Sequence, residues 1–384
     1  MSVTASEGAE SPARTGIAIV GCGFVAGLYL TTLDNHPDLE LIGVYDILTE
    51  RAEAAGARHG VVVYEKLSDL VADDRVDVVV NLTNPESHAE VTLAALDAGR
   101  HVYTEKPMAT TVEDGRRITE EAERRGLVVA CAPANFLGEA FQTLWREVRA
   151  GSIGTPRLVY AQLDDGIIHL MGCETWRNHL GVAWPYREEF AVGCTIEHAG
   201  YHLVPLTAMF GAVRKVVSDQ ATLMPDKFPP GESGPVGPDF MTASLTFEDG
   251  VVARLTCSIV APHDRSLTVI GDAGVLRLTN CWDFGSPVTL RTVKAGDAAY
   301  LVDDHEVPPV RPYVRTDGTE ADHDMDFARG IAEMAAAVQE GRTSRLSTRH
   351  ALHVLEVTLA LAESAGTTGI TSEFDRPEPL SWAN

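Results

Sequence analysis

A short apolar strand that runs straight into a glycine-rich turn constrains the fold of this chain most. Residues 16–20 read Gly-Ile-Ala-Ile-Val and are followed by Gly-Cys-Gly-Phe-Val-Ala at 21–26. Gly21 permits a tight turn, Gly23 lets the backbone approach a pyrophosphate, and Ala26 is small enough for close helix–strand packing. The phosphates of a dinucleotide would then lie on the N-terminus of the next helix. The cofactor contacts predicted here are Gly21, Gly23, Phe24 and Val25.

Strands and helices alternate through the first 150 residues. Apolar runs predict strands at 16–20, 39–45, 77–80, 102–103 and 127–131. Amphipathic patterns predict helices at 67–72, 88–98, 112–125 and 137–150. Repeated βα units of this length form a parallel sheet with right-handed crossovers, and its ligands bind at the carboxyl ends of the strands. The fold class predicted for this half is a doubly wound α/β sheet.

Asp46 follows the second strand and bears on the choice of cofactor. A carboxylate there takes the ribose hydroxyls and repels a 2′-phosphate, which favours NAD over NADP. The alternative is that Asp46 caps the helix that follows it. Arg51 lies a full turn into that helix, too far along to be expected on a 2′-phosphate.

Polar residues follow the next strands at the same edge of the sheet. Thr83 and Asn84 are expected to lie over the dinucleotide, and His88 in the following helix either faces the cofactor or is solvated. Glu105, Lys106 and Pro107 end the strand at 102–103, because proline has no N–H to continue the ladder. A lysine held there can polarise a hydroxyl or a carbonyl; the alternative is a surface lysine beside a turn.

The second half changes pattern. Alternating runs predict strands at 154–163, 212–220, 240–248, 251–258, 266–271, 274–280 and 288–293, and turn residues between several of them indicate antiparallel hairpins. Residues 225–238 and 301–322 are expected to be irregular, and 322–340 and 348–364 helical. We therefore predict a leader at 1–14 that is disordered, a dinucleotide-binding domain at 15–134 and an α+β domain at 135–384 with a large, mostly antiparallel sheet.

Composition excludes several classes of partner. A net charge of −24 and a pI near 4.8 argue against nucleic acid and anionic membrane surfaces. The six cysteines are scattered without a CxxC pair, which favours free thiols in a reducing compartment. No apolar run reaches the length of a membrane span. We expect a cytoplasmic protein.

The order of these motifs resembles the Gfo/Idh/MocA oxidoreductase family. The segments that carry the resemblance are the glycine-rich turn and residues 81–85, 98–102, 105–107, 135–136 and 151–154. The resemblance implies that Glu105 and Lys106 contact the cofactor and that Lys106 acts on the reacting carbinol. It also implies C-terminal helices (322–364) that return to the first domain, and an open sheet face that forms a homodimer or a homotetramer.

The helix that starts near Glu197 is expected to complete the active site. His198 and His202 are i and i+4 and share a helix face. The family carries Asp-x-Gly-x-His here, so His202 would be the main acid/base, and His198 would stand at the aspartate position as a supporting or alternative proton carrier. Glu197 is adjacent, but it points about 100° away and is not expected to replace the aspartate.

Substrate contacts are expected from polar and aromatic residues around this helix. The predicted set is Asn135, Trp176, Arg177, Trp184 and Tyr186, with aromatic faces for a sugar ring and Arg177 for an anionic group. Two other interpretations of the histidine pair remain. One is a zinc site completed from His169, Cys173 and His179, although the resemblance calls for no metal. The other is simple packing at a domain interface.

The function predicted is an NAD(H)-dependent oxidoreductase that acts on a sugar, a sugar derivative or a cyclitol. A second hypothesis is a reductase of another C=O or C=N group in a biosynthetic pathway. A third, from a different class, is a non-catalytic protein that senses NAD on the same fold.

Overall fold

The first domain is built on a parallel sheet. The computed structural model describes residues 14–293, 302–314, 324–363 and 366–384; the predicted leader, apart from residue 14, lies outside them. The strands are β1 (Thr15–Val20), β2 (Leu39–Tyr45), β3 (Val62–Val63), β4 (Val78–Asn81), β5 (His101–Thr104) and β6 (Val129–Cys131). The helices are α1 (Phe24–Thr32), α2 (Thr49–His59), α3 (Leu67–Ala72), α4 (Pro85–Asp97) and α5 (Val112–Arg125).

The strand order is β3-β2-β1-β4-β5-β6, and every described pair in this sheet is parallel. The order reverses between β1 and β4, which leaves a crevice at their carboxyl ends. β1 is buried along its whole length, as its apolar run predicts. The doubly wound parallel fold predicted from the sequence is confirmed.

The second domain is built on a ten-stranded sheet in the described part of the chain. Its strands are β7 (Pro156–Ile167), β8 (Val213–Ala221), β9 (Phe240–Phe247), β10 (Val252–Ser258), β11 (Val260–Asp264), β12 (Leu267–Gly271), β13 (Gly274–Leu278), β14 (Val288–Thr292), β15 (Val302–Glu306) and β16 (Gly366–Gly369). The order is β15-β14-β13-β12-β7-β10-β9-β8-β16, with β11 paired to β7. Neighbours are antiparallel except β7 and β10, so the mostly antiparallel sheet is confirmed.

Several boundaries differ from the prediction. Residues 302–306, expected to be irregular, form β15 and pair with β14 at the sheet edge, while 301 and 315–322 lie outside the described residues. The helix expected from 322 begins at Arg329, and its first two positions are also outside the described part. Strands β3, β11 and β16 were not predicted, because runs of two to five residues carry too little periodicity.

Several of the remaining helices contact this sheet, whereas the helix Arg329–Glu340 contacts β5 and β6 of the first domain. The remaining helices are α6 (Glu139–Arg149), α7 (Tyr186–Val192), α8 (Cys194–His198), α9 (Gly200–Phe210), α10 (Arg329–Glu340) and α11 (Thr348–Ala362). Along β7 the buried residues Val159, Ala161 and Leu163 alternate with the outer-face residue Tyr160, which is 36% exposed. Helix α11 also contacts α5 and β6 of the first domain. None of the helices in the described residues has the length and apolar character needed to cross a bilayer.

Two histidines of α11 are buried within the second domain as neutral imidazoles. His350 Nε2 lies 2.7 Å from Thr207 Oγ1, His353 Nε2 accepts from Val213 N at 3.0 Å, and both rings pack on Phe374. Burial lowers the pKa of His350 to about 3 and that of His353 to about 4. In the unfolded chain both return to about 6.5. Their stabilising effect is therefore complete above pH 6.5 and is lost as the pH falls towards the folded values.

We expect the free energy of unfolding, measured with urea, to be lower at pH 5.5 than at pH 7.5 by about 1 kcal/mol for each of these histidines. His353→Gln should reduce this pH dependence, because the variant has no imidazole to protonate there. His263→Gln, an exposed control, should leave the pH dependence unchanged. Equal pH dependence in the wild type and His353→Gln would contradict the assignment.

Candidate active site

A cavity of about 240 Å³ lies where the two domains meet. Its first-domain wall comes from the segments that follow β1, β4 and β5, so it opens at the carboxyl edge of the parallel sheet. These residues are Gly23, Phe24, Val25, Leu28, Leu82, Thr83, Asn84, Pro85, Glu86, His88, Glu105 and Lys106. The second-domain wall includes Asp165, Trp184, Glu188, Glu189, Glu197, His198, Tyr201 and Trp282.

An ion pair between the domains stands at the centre of this cavity. Lys106 Nζ, at the end of β5, pairs with Glu197 Oε2 of α8. Side-chain exposure is 20% for Lys106 and 10% for Glu197. Glu197 therefore supplies the carboxylate that neutralises the lysine, and the expectation that it points away from the site is wrong.

The lysine stays charged although it is largely buried. Burial opposes the ammonium form, but the carboxylates around it, Glu197 foremost, outweigh burial and raise the pKa of Lys106. Glu189 of α7 faces the same groups. Its burial and the adjacent charge of Glu197 hold the pKa of the Glu189 carboxyl well above its usual range. The site thus brings the Lys106 ammonium group together with two carboxyl groups, those of Glu197 and Glu189.

The turn between α8 and α9 directs Glu197 and Tyr201 towards the cavity, each one position before a histidine predicted from the sequence. Glu197 and Tyr201, also i and i+4, line the cavity, whereas His202 does not. His202 is fully buried, and its Nε2 lies 2.8 Å from the Gln162 carbonyl oxygen. Burial lowers the pKa of His202 to about 4. Its imidazole is therefore neutral and packed away from the cavity that Tyr201 lines, so the predicted contact of His202 with a substrate is not seen in this arrangement.

Tyr201 is held beside the charged pair. Its backbone carbonyl accepts from Asn135 Nδ2 at 2.7 Å, and its ring packs edge-on to Trp282 with centroids 4.9 Å apart. Burial raises the pKa of the Tyr201 phenol, although the charge of Lys106 partly opposes that effect. The phenol therefore keeps its proton at neutral pH and can donate a hydrogen bond to a developing oxyanion.

His198 also lines the cavity, as predicted. Its Nε2 lies 3.7 Å from Asp165 Oδ2, and its ring centroid is 5.9 Å from that of Trp282. His198 and Tyr201 thus approach the cavity from the same helical segment, against the same indole. Of the two histidines proposed from the sequence, only His198 has access to a ligand in the cavity.

The glycine-rich turn fits a dinucleotide. Gly21 has a φ of +95°, and a Cβ there would lie 2.6 Å from the Leu82 carbonyl oxygen. A Cβ on Gly23 would meet no atom within 4 Å, so the space above it is open to a pyrophosphate. Helix α1 begins at Phe24 without a side-chain cap, which leaves its first N–H groups available for an anion. The residues present therefore suit the cofactor predicted from the sequence.

Asp46 is tied to the same turn. Its Oδ2 accepts from Cys22 N at 2.7 Å and its Oδ1 from Leu48 N at 2.8 Å. The carboxylate thus lies beside the glycine-rich turn, at the end of β2. Asn178 of the second domain reaches this turn as well, and its Nδ2 donates to the carbonyls of Gly23 and Phe24 at 3.2 and 2.9 Å.

The other predicted cofactor residues surround the crevice. Thr83, Asn84, His88 and Glu105 all line the cavity. His88 is buried, with Nδ1 2.6 Å from the Pro107 carbonyl and Nε2 2.9 Å from the Thr83 carbonyl. Glu105 accepts from the Tyr29 hydroxyl at 2.7 Å and from Lys106 N at 2.9 Å. His88 and Glu105 therefore fix the loops that carry Thr83 and Lys106.

The predicted substrate residues are only partly brought together. Trp184 lines the cavity, and Trp176 packs behind it with ring centroids 5.0 Å apart. Asn135 is buried and holds the Tyr201 backbone. Arg177 is exposed and donates to the carbonyls of Glu174 and Trp176, and the Tyr186 hydroxyl donates to Glu232. Trp176, Arg177, Tyr186 and Asn135 do not line this cavity.

Among the cavity residues that were not predicted from the sequence are Asp165, Glu189, Tyr201 and Trp282. Asp165 has a signal, because it continues the buried alternation of β7 after Leu163. Glu189 belongs to α7, a seven-residue helix too short for a periodic pattern. The zinc alternative has no counterpart in the described residues, which contain no group of three histidine, cysteine or acidic side chains arranged to hold a metal ion.

A dinucleotide-binding domain joined to a charged cavity defines this chain as an enzyme of the oxidoreductase class. Residues 15–132 match the model of an oxidoreductase family with an NAD-binding Rossmann fold, and residues 148–370 match the C-terminal alpha/beta domain of the same family. The chain belongs to the Gfo/Idh/MocA oxidoreductase family. The resemblance predicted from the sequence is confirmed.

Named relatives include two sugar and cyclitol dehydrogenases. The chain is 28% identical to a D-apiose dehydrogenase of Paraburkholderia graminis over 276 residues, 68% of this chain and 67% of that protein. It is 32% identical to an inositol 2-dehydrogenase of Salmonella typhimurium over 148 residues, 38% of this chain and 44% of that protein. An oxidoreductase from Agrobacterium radiobacter in complex with NAD+, L-tartaric acid and magnesium shares the fold, with a TM-score of 0.73 and 16% identity over 93% of this chain and 98% of that one.

Proposed function

We propose that this enzyme is an NAD(H)-dependent dehydrogenase of a sugar, a sugar derivative or a cyclitol. The observation that carries the proposal is the Lys106–Glu197 ion pair, which lies with Tyr201 in a cavity that continues from the glycine-rich turn. Names of the relatives support a polyhydroxylated substrate. Trp184 offers an aromatic face on which the C–H face of a sugar ring can stack.

Each side chain in the cavity has a separate role at the reacting carbinol. A bound nicotinamide would supply the acceptor for the hydride from the carbinol carbon. Lys106 holds the oxygen and stabilises the charge that develops on it, and the Tyr201 hydroxyl donates a second hydrogen bond. Glu197 keeps the lysine charged. His198 takes the hydroxyl proton, since an imidazole exchanges protons near neutral pH.

A screen of neutral sugars and cyclitols, with NADH absorbance as the readout, tests this function. We expect NADH formation with at least one of them, and none from the same mixture without enzyme. The same residues would serve the reverse reaction, so ketone forms with NADH are screened in parallel. Tight NAD binding without turnover on any compound would support the sensing protein instead, and reduction of only non-sugar C=O or C=N compounds would support the biosynthetic reductase.

NAD rather than NADP is proposed as the cofactor, on the position of Asp46 beside the glycine-rich turn. We expect Asp46→Ser to raise the KM for NAD about tenfold, because a carboxylate hydrogen bond to the ribose is lost, and to raise it less for NADP. Asp69→Ser on α3 is the matched surface control. Steady-state kinetics with both cofactors measure the ratio. A wild-type enzyme that prefers NADP would contradict the proposal.

Self-association is proposed through the outer face of the ten-stranded sheet. Tyr160, Val217 and Val252 are each 36–40% exposed, and the Arg254 guanidinium lies 4.3 Å from the centroid of the Tyr160 ring. An apolar surface of this kind supports a homodimer or a homotetramer. Light scattering on the purified enzyme measures the mass, and a monomer at micromolar concentration would contradict it.

A further inference from the structure

A second charged group, distinct from the lysine pair, reaches the cavity from the ten-stranded sheet. Asp165 lies on the inner face of β7 and is 8% exposed. Its Oδ1 accepts from Arg265 Nε at 3.1 Å and from a terminal nitrogen of the same guanidinium. Its Oδ2 is left facing His198 Nε2 at 3.7 Å. One carboxylate oxygen of Asp165 thus contacts the permanently charged Arg265, and the other faces the titratable imidazole of His198.

Arg265 and Asp165 are held in place by packing on the side of the ten-stranded sheet. The guanidinium carbon of Arg265 lies 3.9 Å from the centroid of the Trp282 ring, which also contacts His198 and Tyr201. The guanidinium plane of Arg265 is fixed by stacking on the Trp282 indole and by two hydrogen bonds to Asp165. The same hydrogen bonds fix the Asp165 carboxylate. Both Arg265 and Asp165 side chains are about nine-tenths buried. Water therefore screens their effect on His198 only weakly.

We propose that Asp165 and Arg265 are positioning residues that orient His198 and set the pH at which it takes the carbinol proton. This inference rests on the proposed function of the site. The hydroxyl O–H bond breaks, its proton goes to the imidazole, and its electron pair becomes the second C–O bond of the carbonyl as hydride leaves for the cofactor. On product release the imidazolium returns the proton to water.

The charges around His198 act in opposite directions. Asp165 favours the imidazolium and Arg265 opposes it by neutralising Asp165. Glu197 lies next to His198 on α8 itself. From the other elements, the titratable side chains that line the same cavity are Glu188 and Glu189 of α7, Tyr201 of α9, Lys106 and Glu105 after β5, and Glu86 and His88 of α4. Lys106 and Glu197 are paired with each other, and burial together with the charge of Glu197 raises the pKa of Glu189. Asp165 lies 3.7 Å from His198 and is itself paired with Arg265, so replacing either residue changes the charge next to His198 in opposite directions.

Two substitutions separate this role from a purely structural one. Asp165→Asn removes the anion, so the pKa of His198 should fall by about one unit and the acid limb of kcat/KM should move to lower pH. Arg265→Met leaves the anion unopposed, so the same limb should move to higher pH, and Arg265→Lys should restore it. Asp164→Asn is the control, because that carboxyl lies next in sequence on the opposite face of β7.

The pKa of His198 is also measured without turnover, by NMR of its imidazole C–H resonance, assigned with His198→Gln. Opposite shifts in Asp165→Asn and Arg265→Met, with none in Asp164→Asn, support the proposal. Shifts in the same direction, or no shift, overturn it. If no polyol is oxidised by the wild-type enzyme, the proposed function fails, while the NMR titration still decides whether Asp165 and Arg265 control His198.

Discussion

Replacing Lys106 by methionine is expected to lower kcat about 10³-fold, with the variant still folded and still able to bind NADH. Methionine keeps an unbranched side chain, one atom shorter, and removes the charge that would stabilise the developing alkoxide. Loss of one such donor typically costs about 10²–10³ in kcat. The substitution also leaves Glu197 buried without its cation, which adds to the loss. Steady-state kinetics with the substrate found in the screen measure the effect.

The control for this prediction is Lys66→Met, at an exposed position before α3. It should leave kcat and KM near their wild-type values. NADH fluorescence titrations of both variants show whether the cofactor site is intact. A Lys106→Met enzyme with kcat close to that of the wild type would remove this lysine, and with it the central ion pair, from the proposed chemistry.

Tyr201→Phe is expected to lower kcat about 10²-fold, because only the hydroxyl that donates to the carbinol oxygen is lost. The ring and its packing on Trp282 remain, so the thermal unfolding temperature should change little. The neighbouring substitution His202→Gln provides the contrast. Its amide can still donate to the Gln162 carbonyl, and its side chain does not line the cavity. We expect kcat within about threefold of wild type in that variant.

A comparison of the two variants decides whether Tyr201 or His202 acts on the substrate. A large loss in His202→Gln together with full activity in Tyr201→Phe would restore the histidine pair predicted from the sequence. The thermal unfolding temperature separates a folding defect from a catalytic one, since buried His202 contributes to packing and Tyr201 lies on the cavity wall.

The architecture could be predicted from the sequence because its signals are local. The buried run of β1, the glycine-rich turn and the alternation along β7 can each be recognised within a window of about ten residues. Lys106 was predicted because the proline fixes the strand end, and the acid at Asp46 because it ends β2. What local patterns miss are short elements such as α7, whose seven residues bring Glu189 to the cavity.

The partner of Lys106 could not be predicted in the same way. Three consecutive residues, Ile196, Glu197 and His198, each point in a different direction on a helix, and the choice among them depends on how α8 is rotated against the first domain. That rotation is set by long-range packing. A motif with a histidine on each side of Gly200 matched the family spacing, yet the contacts bring Glu197 and Tyr201 into the cavity beside His198 and leave His202 outside it.

The central ion pair joins residues 91 positions apart in the chain, one from each domain. Each domain therefore depends on the other to balance the charge of its own member of the pair. A chimera that combines the first domain of this enzyme with the second domain of a relative would need a carboxylate at the place of Glu197, or it would bury an ammonium group without compensation. Recombination within the family is thus limited at this boundary by charge matching between the two halves.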